Sequence, residues 1–98
     1  MPRKLSPIHP GEVLKSVLED AGLSANRAAL ELHVPANRIS DILRGKRPIT
    51  ADTALRLARF FGTSAAIWIN LQAKYDLQMA EDRLSEKVAE EVRPFKVA

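Results

Sequence analysis

The stretch AALELHVPANRISDIL, from Ala28 to Leu43, leaves almost no room between two helices. Ala28, Ala29 and Leu32 recur at helical spacing, Ile39, Ile42 and Leu43 do so again, and only Leu32 to Pro35 lie between the two patterns. So short a link makes the helices cross sharply and rules out an antiparallel hairpin. A sharp crossing needs a very small side chain at the contact, which Ala29 supplies, while Val34, Ile39 and Ile42 plug the corner. The turn position that usually holds glycine carries His33. Histidine tolerates a left-handed backbone better than most non-glycine residues, so the turn survives at some strain.

Punctuation on either side extends this corner into a series of helices. Pro10 suits a first helical position, and Val13, Leu14, Val17, Leu18 and Ala21 follow until Gly22 stops the pattern. Ser24 caps the second helix, Pro35 opens the third, and Gly45 ends it. Thr50 caps a fourth with Ala54, Leu55, Leu57, Ala58 and Phe61 inward, closed by Gly62. Ser64 caps a fifth through Ile67, Trp68, Leu71 and Tyr75. Nothing breaks it before Pro94, so it is expected to continue through Leu77, Leu84 and Val88 towards Val92. No alternating strand pattern, internal repeat or low-complexity tract is present. The reading is an all-α protein of five helices with a long C-terminal one. It divides into a flexible arm at 1–7, a helical domain at 8–79, and a helical extension and tail at 80–98.

Composition narrows the function. At 98 residues the chain holds one core. Its 46% apolar and 28% charged residues are ordinary for a globular protein. It has no cysteine, which excludes disulfides and thiolate metal sites and suits a reducing cytoplasm. No apolar run nears a membrane span, and MPRKLSPIHP lacks the apolar stretch of a signal peptide. The net charge of +3 is mild but unevenly placed. Between Ser24 and Thr50 lie Arg27, Arg38, Arg44, Lys46 and Arg47 against Glu31 and Asp41, whereas acids slightly outnumber bases from Glu81 onward. A positive field in the middle of the chain suits a nucleic-acid footprint.

Ala29, Val34, Ile39 and Ile42 fall at the offsets of the alanine and the three apolar packing residues of a DNA-binding helix-turn-helix. In that motif the second helix enters the major groove with its N-terminal residues towards the base edges. Here those are Ala36, Asn37, Arg38, Ser40 and Asp41. Asn37 pairs with adenine, Arg38 reaches guanine or a phosphate, and the Ala36 methyl meets thymine. Asp41 either accepts from cytosine or bridges to Arg38 or Arg44. Phosphate contacts are expected from Ser24, Asn26 and Arg27 at the start of the preceding helix. Arg44, Lys46, Arg47 and Thr50 are expected to add more from the RGKRPIT loop, held rigid by Pro48 and the Thr50 cap. A catalytic or metal role for His33 has no support, because only His9 accompanies it and no ligand cluster is spaced around either. No nucleophile–base pair, phosphate loop or carboxylate dyad points to an enzyme, a cofactor or a small-molecule substrate.

The run ANRISDILRGKRPITADTALRLARFFGTSAAIWINLQAKYDL, together with IHPGEVL near the start, resembles the HigA-type antitoxins. These belong to the lambda-repressor-like (XRE) helix-turn-helix group, and the resemblance covers roughly Pro7 to Leu77. It implies a five-helix lambda-repressor-like domain. It also implies pairing with a HigB-type messenger-RNA endonuclease toxin, a homodimer, and repression of the protein's own operon through an operator in its promoter. The narrow apolar stripe Leu84, Val88 and Val92 beyond the domain suits either a partner helix, as a dimer would supply, or packing back onto the chain's own core. The fifth helix is the expected seam, through Trp68, Leu71, Tyr75, Leu84 and Val88. Two recognition helices would then meet half-sites about 34 Å apart. No stretch singles out a toxin surface. Two other readings stay open: a stand-alone regulator of the same fold without a toxin, and an inhibitor whose helix-turn-helix no longer binds DNA. The basic loop with Asn37 and Arg38 argues against the latter.

Overall fold

The computed structural model describes residues 6–96. Most of the arm expected at 1–7 lies outside them. Five helices follow in order: α1 Pro10–Ala21, α2 Ala25–Leu32, α3 Ala36–Leu43, α4 Ala51–Phe61 and α5 Ala65–Glu91. Among the described residues there is no strand. The starts follow the caps read from sequence. Ser24, Thr50 and Ser64 each accept from the backbone N–H three residues on. Pro35 precedes α3 as its cap residue and is not its first helical residue.

The core is Leu14 and Leu18 of α1, Ala28, Ala29 and Leu32 of α2, Ile39 and Ile42 of α3, Ala54 and Leu57 of α4, Trp68 of α5, and Ile49 from the loop after α3. Here α2 packs on α3 and α4, α1 on α3 and α5, and α4 on α5. Two residues expected inside are outside: Leu55 is 64% exposed and Ile67 51% exposed. Each sits one position off its helix's buried stripe, next to Ala54 and Trp68, which take the core face. Past Met79, α5 leaves the core, and every described residue from Ala80 onward is exposed. The molecule is consequently elongated, 56 × 30 × 20 Å.

The sequence His9-Pro10-Gly11-Glu12 makes a joint between α1 and α3. His9 caps α1, its Nδ1 accepting from the Gly11 N–H at 2.9 Å, and Glu12 reaches back to the His9 N–H at 3.3 Å, which completes a capping box. The His9 ring is buried and stands edge-on to Tyr75 of α5, centroids 4.8 Å apart. Burial lowers the His9 pKa, against the opposing pull of Asp76 and Glu12. The fold therefore favours the neutral ring, and protonation removes the Nδ1 acceptor. Below the ordinary value of about 6.5 the unfolded chain binds more protons than the folded one. Stability is thus fully present above that pH and falls as pH drops towards the lowered folded value. Denaturant midpoints measured across this range should show that loss. His9→Asn, which keeps a capping side chain without a titration, should flatten it.

Candidate nucleic-acid interface

The α2–α3 corner closes through its backbone. His33 adopts φ 58° and ψ 46°, its N–H donates to the Leu30 carbonyl at 3.2 Å, and the Val34 N–H donates to the Ala29 carbonyl at 3.0 Å. Ala29, Ile39 and Ile42 are buried beneath it, and Val34 packs against them. A second tie comes from α4. Arg56 donates to the carbonyls of Leu32 at 3.0 Å and His33 at 3.4 Å, placing a cation on the C-terminal end of α2 where the helix dipole favours one.

The same arginine links the corner to α3. Its Nε donates to Asp52 at 3.0 Å, and the same Asp52 oxygen accepts from Arg38 of α3. Arg38, one of the two partners considered for Asp41 from sequence, is therefore held by Asp52 of α4. Asp41 instead accepts from Arg44 at 2.9 Å and from Arg47 at 3.3 Å. Hydrogen bonds from Arg44, then Arg47, hold the Asp41 carboxyl below its ordinary pKa, and Arg56, then Arg38, do the same for Asp52. Both acids stay ionised and orient the arginines. Asp41 is thus already occupied as an acceptor. Arg38 commits one terminal nitrogen, and the rest of its guanidinium fork is left to donate elsewhere.

Around these pairs, Ala36 and Asn37 are exposed at the start of α3, and the Ser40 hydroxyl donates to the Asn37 carbonyl at 3.4 Å. Asn26 and Arg27 are exposed on α2. Arg27 pairs with Glu31 at 3.1 Å, and its N–H donates to Ser24 Oγ at 3.1 Å. The Thr50 hydroxyl accepts from the Thr53 N–H at 3.5 Å. In the loop, Arg44 and Arg47 share one carboxylate, whereas Lys46 is exposed with no ion pair among the described residues. Its positive charge is smaller than the count of cations suggests, and better oriented.

Gly45 lets that loop turn at φ +72°, a backbone that side chains rarely adopt, and the Lys46 N–H donates back to the Asp41 carbonyl at 2.8 Å. Pro48 and Thr50 are only part of what fixes it. Ile49 is buried, its N–H donates to Gln72 Oε1 of α5 at 2.7 Å, and Gln72 Nε2 donates to Asp76 at 2.9 Å. Gln72→Leu would strand the Ile49 N–H in the core. A loss of about 1–3 kcal/mol in unfolding free energy is the expected result, read by chemical denaturation.

The residues expected to form a dimer seam divide between two faces of α5. Trp68 is a core residue whose Nε1 donates to Thr63 Oγ1 at 3.1 Å; it offers nothing to a partner. Leu71 packs against the same core and Tyr75 against His9. Leu84 and Val88 are exposed. Reading 68, 71 and 75 together with 84 and 88 joins two stripes that a helix of 3.6 residues per turn keeps apart. Sequence reasoning also passed over Asp52, Arg56 and Gln72 as site-building residues. The Asp52–Arg56 spacing of four, on a helix beginning beside the corner, was a usable signal. No helix among the described residues is long and apolar enough to cross a membrane.

A sharp α2–α3 corner with a half-exposed second helix and an oriented basic loop defines a lambda-repressor-like helix-turn-helix module. Residues 14–68 match the helix-turn-helix family. Virulence-associated protein I of Dichelobacter nodosus is 53% identical over 79 residues, spanning 80% of this chain and 73% of that protein. Among solved structures, an addiction module antidote protein of the HigA family from Coxiella burnetii is 49% identical with a TM-score of 0.86, covering 93% of this chain and all of that one. Antitoxin HigA of Pseudomonas aeruginosa, solved with the higBA promoter, is 41% identical with a TM-score of 0.88, covering 92% and 99%. The chain belongs to the helix-turn-helix family, in its XRE-type, HigA-like branch.

Proposed function

We propose that this protein is a DNA-binding antitoxin that acts in the cytoplasm. It binds an operator in its own promoter as a homodimer, represses its operon, and neutralises a HigB-type toxin by binding it. The observation that carries the DNA reading is the Arg38–Asp52–Arg56 chain. It ties the recognition helix and the corner to α4, so that Asn37 and Arg38 are presented from a rigid frame. Preorganisation of that kind lowers the ordering cost of binding. The higBA promoter bound by the Pseudomonas relative supports carrying the reading to this chain. Base reading falls to Ala36, Asn37, Arg38 and Ser40, and phosphate contacts to Ser24, Asn26, Arg27, Arg44, Lys46, Arg47 and Thr50.

The toxin half of the reading rests on the family, and genetics tests it directly. A short toxin gene is expected beside this one. Co-expression should yield a stable complex and relieve growth arrest, while a mobility shift with the upstream promoter reports the repressor activity. An upstream promoter that binds, with an unrelated neighbouring gene and no co-purifying partner, would leave a stand-alone transcription regulator.

A further inference from the structure

Two anchors hold the RGKRPIT loop, and both lead to Asp76 of α5. At the start of the loop the Gly45 N–H donates to the Ile42 carbonyl at 3.0 Å, and the His9 ring lies 3.8 Å from where a Gly45 Cβ would stand. That ring is edge-on to Tyr75, and of the two carboxylates whose charge reaches it Asp76 acts more strongly than Glu12. At the end of the loop the Ile49 N–H donates to Gln72 Oε1 at 2.7 Å, and Gln72 Nε2 donates to Asp76 Oδ1 at 2.9 Å. Lys46 and Arg47 lie between the two anchors.

The Gln72 amide satisfies Ile49 in only one orientation. Its oxygen and nitrogen are nearly the same size, and a half-turn about the last bond exchanges them. The flipped amide would set its own N–H groups against the Ile49 N–H, donor facing donor. Gln72 is 7% exposed and Ile49 2%, so water is poorly placed to repair that mismatch. A carboxylate accepts and does not donate, so Asp76 takes the nitrogen of Gln72 and rejects the oxygen. The choice of orientation thus lies with Asp76, one helical turn beyond Gln72. We infer that Asp76 is a positioning residue for DNA binding: by fixing the Gln72 amide it sets Ile49, and through Ile49 the height at which the loop offers Lys46 and Arg47 to phosphates. The inference rests on the DNA reading above and deepens it, giving α5 a part in the grip that acts wholly through the loop.

Four variants test it, on duplexes of the upstream promoter and of scrambled sequence over a range of salt, each variant first shown folded by circular dichroism. Asp76→Ala removes the acceptor. Affinity for both duplexes should fall together by roughly threefold to tenfold, and the salt slope should lose about one unit as a loop cation leaves its phosphate. Asp76→Asn keeps an acceptor oxygen and should recover most of that loss. Gln72→Glu puts two carboxylates within hydrogen-bond reach of each other and should weaken binding as Asp76→Ala does. Adding Asp76→Asn to Gln72→Glu exchanges donor and acceptor across the pair, and should restore affinity and salt slope together. Should Asp76→Ala fail to fold, Gln72→Glu and the exchanged pair carry the test with side-chain lengths unchanged. A residue that only stabilises the fold would move the denaturant midpoint and leave the binding of the folded protein alone. Parental affinity and slope in Asp76→Ala, whatever its midpoint, therefore overturn the inference while the DNA reading stands, and so does an exchanged pair that restores neither. A loss confined to the promoter duplex assigns Asp76 to base reading and overturns it equally. A parent that shifts neither duplex removes the DNA reading, and this inference with it.

Discussion

Gly11→Ala is expected to cost about 3 kcal/mol or more of unfolding free energy, read as a lowered denaturant midpoint. Two effects oppose each other at this position. Alanine is the better helix former, worth roughly 0.5–1 kcal/mol in favour of the variant. Against that, a Cβ on Gly11 would lie 1.9 Å from the Ile42 carbonyl oxygen and 2.9 Å from its carbon, both backbone atoms that no rotamer change can move. Relief requires sliding α1 off α3. That slide would pull on His9, whose ring lies 3.8 Å from where a Gly45 Cβ would stand, and on the Ile42 carbonyl, which accepts from the Gly45 N–H at 3.0 Å. The packing term wins, and the damage reaches the basic loop. DNA affinity should fall together with stability. A variant as stable as the parent would mean that α1 and α3 do not approach this closely.

The same glycine marks what was legible in the sequence. Helix starts and stops were readable because caps act locally: Ser24, Thr50 and Ser64 satisfy N–H groups within their own first turn. The corner was readable because Ala29, Val34, Ile39 and Ile42 have fixed offsets around a short link. The close approach at Gly11 was not, since its cause is a carbonyl 31 positions away, reported only by the folded chain. Gln72 was hidden for the same reason. A glutamine within a helix reads as surface until the Ile49 N–H is found pointing at it. The seam was misread for a different reason. Apolar residues on a helix that carries two stripes do not announce which one faces the core, and Trp68 and Leu84 are both plausible until exposure separates them. Arg38 was named as a base reader without its support, because Asp52 and Arg56 belong to another helix. Local rules predicted the elements, and long-range contacts decided which faces and side chains do the work.

Those long-range contacts separate two kinds of DNA defect. Arg38→Ala removes a guanidinium aimed by Asp52, and Asn37→Ala removes an exposed amide at the start of α3. Each should cost about 1–3 kcal/mol on the operator and little on unrelated DNA, shrinking the ratio between the two. Lys46→Ala should weaken binding to both alike and reduce the salt slope by about one unit, because a lost phosphate contact carries no sequence information. Asp52→Asn discriminates further. It leaves Arg38 in place but removes the charge that orients it, so operator affinity should fall while affinity for unrelated DNA holds or rises. Mobility shifts on operator and scrambled duplexes at several salt concentrations read all four variants. Arg47→Ala is the poorer probe of the loop, since it also removes one of the two arginines that pair with Asp41. Arg38→Ala and Lys46→Ala with identical profiles would mean that α3 does not read bases. A loss confined to the operator for Arg38→Ala, with a shallower salt slope for Lys46→Ala alone, places the reading in α3 and the grip in the loop behind it.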